Sequence, residues 1–378
     1  MTAHGIQHAE LFGLPHSYYT VIARSYLRKQ QAGVKEVSSR DPRFISEILP
    51  QIGRGIIPVL RLADGTVIQD SLDIIEYGEA NAPRLPATPD SPKQKLLSAV
   101  FFLYGSQSLL KAAMHYRWSF YDQQKTFLDH AFGFGDDGAA GKIMDRMRSY
   151  LPILGVSEAT IPAIERNFEN LLRILDRHFS QYPYLFGGCP SLGDYGLFGP
   201  LFAHLGRDPV PCAIMKSIAP HVFRWTERMN ASVTDQPEFN MDEAFLPDDQ
   251  IPETLYELFD FIGGEVGYEL TDRIDFIRQF QASQDIQNGA PVTDSPKQRA
   301  IGTVDARYGG RTITVAVQPY LLYCQKRVET AFAEMTSANK DWASSEFEKA
   351  GLSVLLNCEL PFTVGRSANI EVWERRAG

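Results

Sequence analysis

Two short polar stretches stand directly before amphipathic stretches near the start of the chain. Ser17 precedes the stretch from 19 to 31, and Asp70 with Ser71 precedes the stretch from 72 to 80. A helix N-terminus concentrates unpaired N–H groups and about half a positive charge, so it can hold a carboxylate or favour a thiolate. The helix starts at Ser17 and at Asp70-Ser71 therefore each predict a site for an anionic group such as a carboxylate. The alternative is that these residues only cap their helices.

Strand-like and helix-like patterns alternate over the first 80 or so residues and would position these groups. In chain order they predict a strand at 10–14, a helix at 19–31, a short helix at 44–49, a strand at 58–62, a strand at 66–68 and a helix at 72–80. The Asp64-Gly65 pair between the last two strands is typical of a hairpin turn. The order βαβα followed by ββα predicts a small α/β domain over residues 1–82.

Four prolines, at positions 83, 86, 89 and 92, predict a linker after this domain. From 93 to 235 the apolar spacing is near 3.6 residues, which predicts an all-helical domain. The predicted helices are 93–122, 157–181, 193–205 and 219–231. Ser191 and Asp194 match a capping box, which we assign to folding rather than to catalysis.

Residues 236–378 change character again and predict an α+β extension. A helix is expected over 253–282, a hairpin over 303–317 with Gly309-Gly310 at its turn, and a helix over 319–336. The last forty residues show no clear pattern. No active-site motif is evident in this extension.

The charge balance argues against polyanionic partners. The chain has 37 Lys and Arg against 46 Asp and Glu, and its net charge of -9 repels nucleic acid and anionic lipid surfaces. No apolar run approaches the roughly 20 residues of a membrane span, and no signal segment is evident at the start. The four scattered cysteines lack metal-ligand spacing, which predicts a reducing compartment and no metal site. We expect a cytoplasmic protein without a nucleic-acid or membrane partner.

Three motifs follow one another in the first domain: Leu14–Thr20 before a helix, Ile57-Pro58-Val59 before a strand, and Gln69-Asp70-Ser71 before a helix. Together they resemble the glutathione site of glutathione S-transferases, and the resemblance covers roughly residues 9–235. It implies a thioredoxin-like N-terminal domain, a C-terminal helical bundle, and glutathione as co-substrate or cofactor. The extension lies outside the resemblance, and its role is open between a lid, a subunit interface and a surface for a further partner.

The resemblance also implies roles for the residues of the second and third motifs. Asp70 and Ser71 match the pair that binds the γ-glutamyl end of glutathione, the acid approaching its amine and the hydroxyl its carboxylate. A cis bond between Ile57 and Pro58 would expose the backbone of Val59 for strand-like pairing with the cysteinyl part. Arg54 matches the basic residue for the glycyl carboxylate only with a one-residue shift.

Ser17 matches the catalytic hydroxyl of serine-type members of the superfamily. A thiol with a pKa near 8.5 is only about 3% thiolate at neutral pH, and lowering that pKa by about two units makes the thiolate dominant. Tyr18 is a competing candidate for this role, and Tyr19 lies where some members have cysteine. The alternative for Ser17 is a simple helix N-cap.

A second set of residues lies on the predicted helix 93–122. Tyr104, Lys111, His115 and Trp118 are separated by seven, four and three residues, which places them on one helix face. In the superfamily this helix usually lines the electrophile pocket, so the four predict a pocket for a hydrophobic second substrate. The alternative is an aromatic face packed against neighbouring helices.

The resemblance therefore predicts a homodimeric transferase that activates the glutathione thiol for attack on an apolar electrophile, in detoxification or small-molecule metabolism. Isomerisation, ether cleavage and dehalogenation can use the same thiolate and stay open, as does a non-catalytic binding protein. A disulfide-type reductase would need a cysteine near the first helix, and the sequence has none there.

Overall fold

The N-terminal region folds around a four-stranded mixed sheet in the computed structural model, which describes residues 6–81, 83–133, 138 and 140–376. Its elements are β1 (Glu10–Gly13), α1 (Tyr18–Lys29), β2 (Lys35–Ser38), a π-helical turn (Phe44–Ile48), α2 (Leu49–Ile52), β3 (Val59–Arg61), β4 (Val67–Gln69) and α3 (Ser71–Ala80). The strand order is β2-β1-β3-β4, in which only β1 and β2 are parallel. The thioredoxin-like prediction is confirmed.

The two central strands are apolar because both of their faces are covered. Leu11 and Phe12 of β1 and Val59 and Leu60 of β3 are at most 1% exposed. The edge strand β2 was not placed by the sequence, because only Val37 among its four residues is buried. Its alternation is too short to distinguish it from a loop.

The middle region is all-helical, as predicted. Its helices are α4 (Pro92–Leu103), α5 (Leu110–Trp118), α6 (Lys125–Gly133), α7 (Ala140–Arg148), α8 (Ile161–Phe179), α9 (Leu192–Ala203), α10 (Pro209–Ile218) and α11 (Pro220–Asn230). The capping box at the start of α9 is confirmed, since Ser191 and Asp194 each accept a hydrogen bond from the backbone N–H of the other. The sequence did not predict α6, α7 or α10.

The predicted single helix over 93–122 is interrupted. A π-helical turn, Tyr104–Ser108, separates α4 from α5. A Cβ on Gly105 would lie 2.4 Å from the backbone of Gly196 in α9. The backbones of the two helical segments therefore approach too closely for any side chain at position 105. The wider turn shifts the helix register, and Tyr104 no longer follows the face of the residues in α5.

The extension contains α12 (Glu253–Ser283), β5 (Gly302–Tyr308), β6 (Arg311–Val317), α13 (Tyr320–Ala333), α14 (Ser337–Ala350), β7 (Phe362–Ser367) and β8 (Ile370–Arg375). The Gly309-Gly310 hairpin is confirmed, with φ angles of 57° and 74°. The β7–β8 hairpin turns on Ala368 and Asn369, which also have positive φ angles of 47° and 65°. Alanine is rare in this conformation, so the sequence carried no turn signal there.

One apolar core runs through all three predicted regions, and includes Val21, Phe101 and Ile262. In it α13 packs against α4, and α12 packs against α8. The boundaries at 82, 93 and 235 stay predictions.

The stretch Pro92–Trp118 has the length and apolar composition of a membrane-spanning helix, contrary to the expectation that no such run exists. Within the protein, 83% of its most apolar window is buried. A core helix that is covered on all sides has the same composition.

His178 of α8 joins the helical region to the extension and gives a pH-dependent prediction. Its Nε2 donates to the Tyr184 carbonyl at 3.2 Å, and its Nδ1 forms a hydrogen bond with the Thr254 hydroxyl at 2.7 Å. Burial lowers the pKa of His178 to about 4. The stability contributed by the neutral ring is therefore complete above pH 6.5 and is lost as the pH falls towards 4, by about 3 kcal/mol in total.

Urea unfolding of the wild type and of His178→Gln at several pH values checks this effect. The difference in free energy of unfolding between the wild type and His178→Gln should decrease by about 3 kcal/mol between pH 7 and pH 4. A difference that stays constant over this range contradicts the prediction. His130→Gln, on the exposed surface, controls for the substitution itself.

Candidate functional site

The strand registers bring the three motifs to one end of the sheet. Val59 of β3 lies beside Phe12 of β1 on one side and beside Gln69 of β4 on the other. The end of β1, the start of β3 and the end of β4 are therefore neighbours. The Ile57-Pro58 bond is cis, as expected.

Ser17 caps α1 at this end of the sheet. Its Oγ accepts a hydrogen bond from the backbone N–H of Thr20 at 3.3 Å, and the side chain is only half-buried. Its O–H donates to none of the residues that the structure describes. The cap leaves this proton free for a ligand, so the two interpretations of Ser17 are compatible.

Tyr18 has a partner within the protein, and its role as the catalytic hydroxyl stays a prediction. Its side chain is 4% exposed, and its hydroxyl donates to the Gly105 carbonyl between the sheet domain and the helices. Burial raises the pKa of Tyr18 well above its ordinary value. Tyr19 donates to the Ser106 carbonyl at 3.1 Å, so the proton of this hydroxyl is also in use. A tyrosine has a single O–H to donate, so in this structure neither Tyr18 nor Tyr19 has a proton left to donate to a thiolate.

Three guanidinium groups hold the loop that leads into Ser17. Arg24 donates to the Leu14 carbonyl at 3.3 Å, Arg207 to the Pro15 carbonyl at 3.0 Å, and Arg117 to the His16 carbonyl at 3.2 Å. Burial, together with Arg117, lowers the pKa of His16 to about 3. Among the described carboxylates none pairs with Arg207 or with nearby Arg40. The field before α1 is therefore positive and favours an anion.

The start of α3 is contacted by the extension. Asp70 caps the helix by accepting from the Leu72 N–H at 2.9 Å, and it also accepts from the Tyr320 hydroxyl at 2.7 Å. The Arg366 guanidinium lies 3.2 Å from the second carboxylate oxygen of Asp70. Ser71 is 1% exposed, and its Oγ has no hydrogen-bond partner among the described residues.

Arg54 lies at the same site. Its guanidinium donates to both carboxylate oxygens of Glu371, at 2.5 and 2.9 Å, and to the Gln69 side chain at 3.1 Å. Arg54 is 2% exposed. Burial by itself raises the pKa of Glu371. Hydrogen bonding to Arg54 and the nearby positive charges nevertheless hold this pKa below its usual range.

Val59 lies between two neighbouring strands, with Phe12 and Gln69 as its register partners, and the pairing of its backbone with a ligand stays a prediction. Ile57, the residue before the cis-proline, differs from Val59 because its backbone is not paired within the sheet. Ile57 is half-buried and lies outside the strands, and its backbone forms no hydrogen bond with any described residue. Ile57 is therefore the residue at which a ligand backbone can pair.

The four residues predicted for the second-substrate pocket separate into three environments. Tyr104 donates to Glu265 and Lys111 to Glu269, both at 2.5 Å, so α12 covers these two side chains. His115 lies between Ser119 and Glu165. Trp118 packs in another apolar cluster beside Phe132. They do not meet at one surface, and the pocket stays a prediction.

Sequence reasoning missed the partners that the extension supplies to this site. The residues concerned are Tyr320, Arg366, Asn369 and Glu371. They lie about 300 positions from the motifs, and no local pattern marks them. Among the described residues no group of acidic, histidine and cysteine side chains could hold a metal ion.

Solved structures with a similar fold include glutathione S-transferases. One from Rhodospirillum rubrum F11 is 17% identical, covers 65% of this chain and 97% of its own, and has a TM-score of 0.40. A beta-etherase from Sphingobium sp. strain SYK-6 is 19% identical, covers 61% and 99%, and has a TM-score of 0.44. A glutathione transferase homologue from Sulfitobacter with bound glutathione is 16% identical, covers 61% and 97%, and has a TM-score of 0.35.

No curated protein matches the sequence. Two family models do match it. The glutathione S-transferase N-terminal domain matches residues 11–89, and the glutathione S-transferase C-terminal domain matches residues 158–228. The first match covers the sheet domain and the second covers α8 to α11 of the helical region, and the chain belongs to the glutathione S-transferase superfamily.

Proposed function

We propose that the chain is a glutathione-dependent transferase that binds the tripeptide at the end of the sheet and joins it through its sulfur to an apolar electrophile. The observation that carries this proposal is the meeting of Ser17, the cis Ile57-Pro58 bond and the Asp70-Ser71 helix start at one sheet end. The proposal includes a cytoplasmic location and the homodimer that the family resemblance implies. Ether cleavage, isomerisation and dehalogenation would use the same thiolate.

Each group has a definite task in this proposal. Asp70 accepts from the amine of the γ-glutamyl end, and Ser71 with the N-terminus of α3 holds its carboxylate. Arg54 pairs with the glycyl carboxylate, and the free backbone of Ile57 pairs with the cysteinyl residue. The O–H of Ser17 donates to the sulfur after the thiol proton has passed to solvent. The thiolate then forms the carbon–sulfur bond, and the electrophile releases its leaving group or takes up a proton.

The positive field of Arg207 and Arg40, which pair with no described carboxylate, supports the ionisation step. Lowering the pKa of the thiol by about two units corresponds to about 2.7 kcal/mol. One hydrogen bond to a charged acceptor contributes about 1.5 to 3 kcal/mol, so Ser17 alone can supply much of it.

The test is a measurement of the pKa of the thiol of bound glutathione. The ultraviolet absorbance of the thiolate is recorded as a function of pH at saturating glutathione. We expect a pKa about two units below that of free glutathione in the wild type, and a shift of less than about half a unit in Ser17→Ala. Ser17→Thr, which keeps the hydroxyl, should retain most of the shift. An unshifted thiol in the wild type contradicts the proposal.

Ser17→Ala also removes a helix cap, so a matched control is needed. Thr336→Ala removes the cap of α14, where the Thr336 side chain accepts from Asn339 N–H at an exposed position. Both substitutions should cost about 1 kcal/mol of unfolding free energy. Only Ser17→Ala should change the pKa of the thiol.

A non-catalytic binding protein is the second candidate, and one observation favours it. The extension already bonds to Asp70 and Arg54, two of the groups that would bind glutathione. If glutathione binds with an unshifted thiol, this second function replaces the first.

A further inference from the structure

The β7–β8 hairpin presents a positive charge to the acids at the start of α3. The Arg366 guanidinium lies 3.2 Å from Asp70 and 2.6 Å from Asp73, and it donates to the Gln69 side chain at 3.2 Å. Its side chain is 10% exposed, so the pairing is largely removed from water. Burial and the nearby Asp70 raise the pKa of Asp73 to about 7, although Arg366 opposes this rise. Two crowded carboxylates thus depend on one cation.

The same hairpin presents a negative charge to Arg54. Glu371 of β8 is 5% exposed and forms the two short hydrogen bonds to the Arg54 guanidinium described above. Arg299 and Arg366 also lie 3.7 Å from this carboxylate. Without Glu371, the buried guanidinium of Arg54 would have no carboxylate partner among the described residues.

The tip of the hairpin pairs with the open edge of the sheet. Strand β4 is the last in the sheet order, so one side of it has no neighbouring strand. The Asn369 side chain accepts from the Gln69 N–H at 3.1 Å and donates to the Val67 carbonyl at 3.4 Å. The tip thereby makes backbone-directed contacts of the kind that an extended peptide makes with a sheet edge.

The hairpin thus supplies one cation and one anion to the groups proposed for the ammonium and the glycyl carboxylate of the tripeptide, and we infer that the β7–β8 hairpin is an intramolecular ligand that competes with glutathione for its site. Arg366 takes the place of the ammonium group on Asp70, and Glu371 takes the place of the glycyl carboxylate on Arg54. The inference rests on the proposed function, because it uses the same groups for glutathione. Glutathione binds only in the fraction of molecules in which the tip has released them.

One group at the site distinguishes the two ligands. The Ser71 Oγ is buried without a partner while the hairpin is in place. An unsatisfied buried hydroxyl costs about 1 to 3 kcal/mol. The hairpin offers no carboxylate to Ser71, whereas the γ-glutamyl end of glutathione carries one. Glutathione can therefore satisfy a group that the hairpin leaves unpaired, which allows it to displace the tip.

The hairpin and the sheet domain are joined by contacts that a charged ligand can replace. Ion pairs exchanged for equivalent ion pairs change the free energy little, unlike apolar packing that has to be separated. A cavity of about 460 Å³ also lies between α3 and the extension, with Leu72 and Ile75 on one side and Gly365 and Glu374 on the other. The apolar attachment of the extension is instead made by α13 on α4. The tip can withdraw while the extension stays anchored.

The test is the affinity for glutathione, measured calorimetrically on the full chain. Arg366→Gln with Glu371→Gln removes both hairpin charges and leaves the net charge unchanged. The apparent dissociation constant equals the intrinsic constant divided by the open fraction, so a tip that is closed in nine molecules of ten predicts about tenfold tighter binding in this variant. If the hairpin were instead a wall of the site that contacts glutathione, the same variant would bind more weakly, which would overturn the inference.

Two further variants guard against misfolding and non-specific effects. Asn369→Gly removes the contacts of the tip with β4, creates no unpaired charge and suits the positive φ angle. It should tighten binding by about two- to threefold, and unchanged or weaker binding counts against the inference. Arg307→Gln with Asp272→Asn, an exposed pair elsewhere in the extension, should leave the affinity unchanged.

The outcomes separate the two proposals. Tight glutathione binding by the wild type, with no gain in either hairpin variant, overturns the competing hairpin and leaves the transferase intact. If neither the wild type nor the folded Arg366→Gln, Glu371→Gln protein binds glutathione, the proposed function is overturned, and the role of the hairpin as its competitor with it.

Discussion

Replacing Asp194 with alanine is expected to lower the free energy of unfolding by about 4 kcal/mol, a large part of the stability of most domains. The carboxylate is fully buried and accepts four hydrogen bonds, from the Ser191 N–H and hydroxyl, both at 2.8 Å, the Leu185 N–H at 3.1 Å and the Trp225 Nε1 at 3.2 Å. Alanine leaves all four donors buried without an acceptor. Each such donor costs about 1 to 3 kcal/mol, and the sum is reduced by relaxation.

Chemical denaturation of the wild type, Asp194→Ala and Asp194→Asn measures this effect. Asparagine keeps one acceptor oxygen but turns an NH₂ group towards other donors. The free energy of unfolding of Asp194→Asn should therefore lie between those of the wild type and Asp194→Ala. Thr336→Ala, which removes an exposed cap, should cost only about 1 kcal/mol. If Asp194→Ala costs no more than Thr336→Ala, the buried network contributes nothing beyond an ordinary cap.

Replacing Arg117 with leucine should cost about 3 to 5 kcal/mol, because it leaves the Asp208 carboxylate buried without a cation. Arg117 binds both oxygens of Asp208, at 2.7 and 2.8 Å, and the two residues are 2% and 0% exposed. The same guanidinium holds the His16 carbonyl directly before Ser17. The pKa of bound glutathione should therefore also rise in the folded fraction of this variant.

A double-mutant cycle separates the ion pair from the bulk of the side chain. Arg117→Leu with Asp208→Leu removes both charges and should cost less than the sum of the single substitutions, by about 2 kcal/mol. Arg307→Leu breaks an exposed pair with Asp272 and should cost less than about 1 kcal/mol. Simple additivity at 117 and 208 contradicts the assignment of a tightly coupled buried pair.

The parts of the structure that the sequence predicted are those controlled by neighbours along the chain. The Asp64-Gly65 and Gly309-Gly310 hairpins follow from turn chemistry, and the capping box at Ser191 follows from a three-residue spacing. The cis bond before Pro58 followed from the family resemblance. The two hairpins and the capping box each have their cause within a few residues.

The sequence did not indicate the contacts between distant segments. Nothing near Tyr18 indicates that its hydroxyl reaches Gly105, and nothing near Asp70 or Arg54 indicates Arg366 or Glu371. The π-helical turn after α4 has the same origin, since it accommodates the backbone of Gly196 from α9. Such pairings are set by tertiary packing, which overrides local propensity.

The burial of α4 has a consequence for recognising related sequences. Every residue from Leu96 to Leu103 is at most 4% exposed, and α13 of the extension packs on this helix. A homologue that ends after α11 would expose this apolar side to water unless polar residues replaced part of it. An uninterrupted apolar run at this position is therefore a sequence marker for chains that carry the extension, even where the extension itself has diverged too far to align.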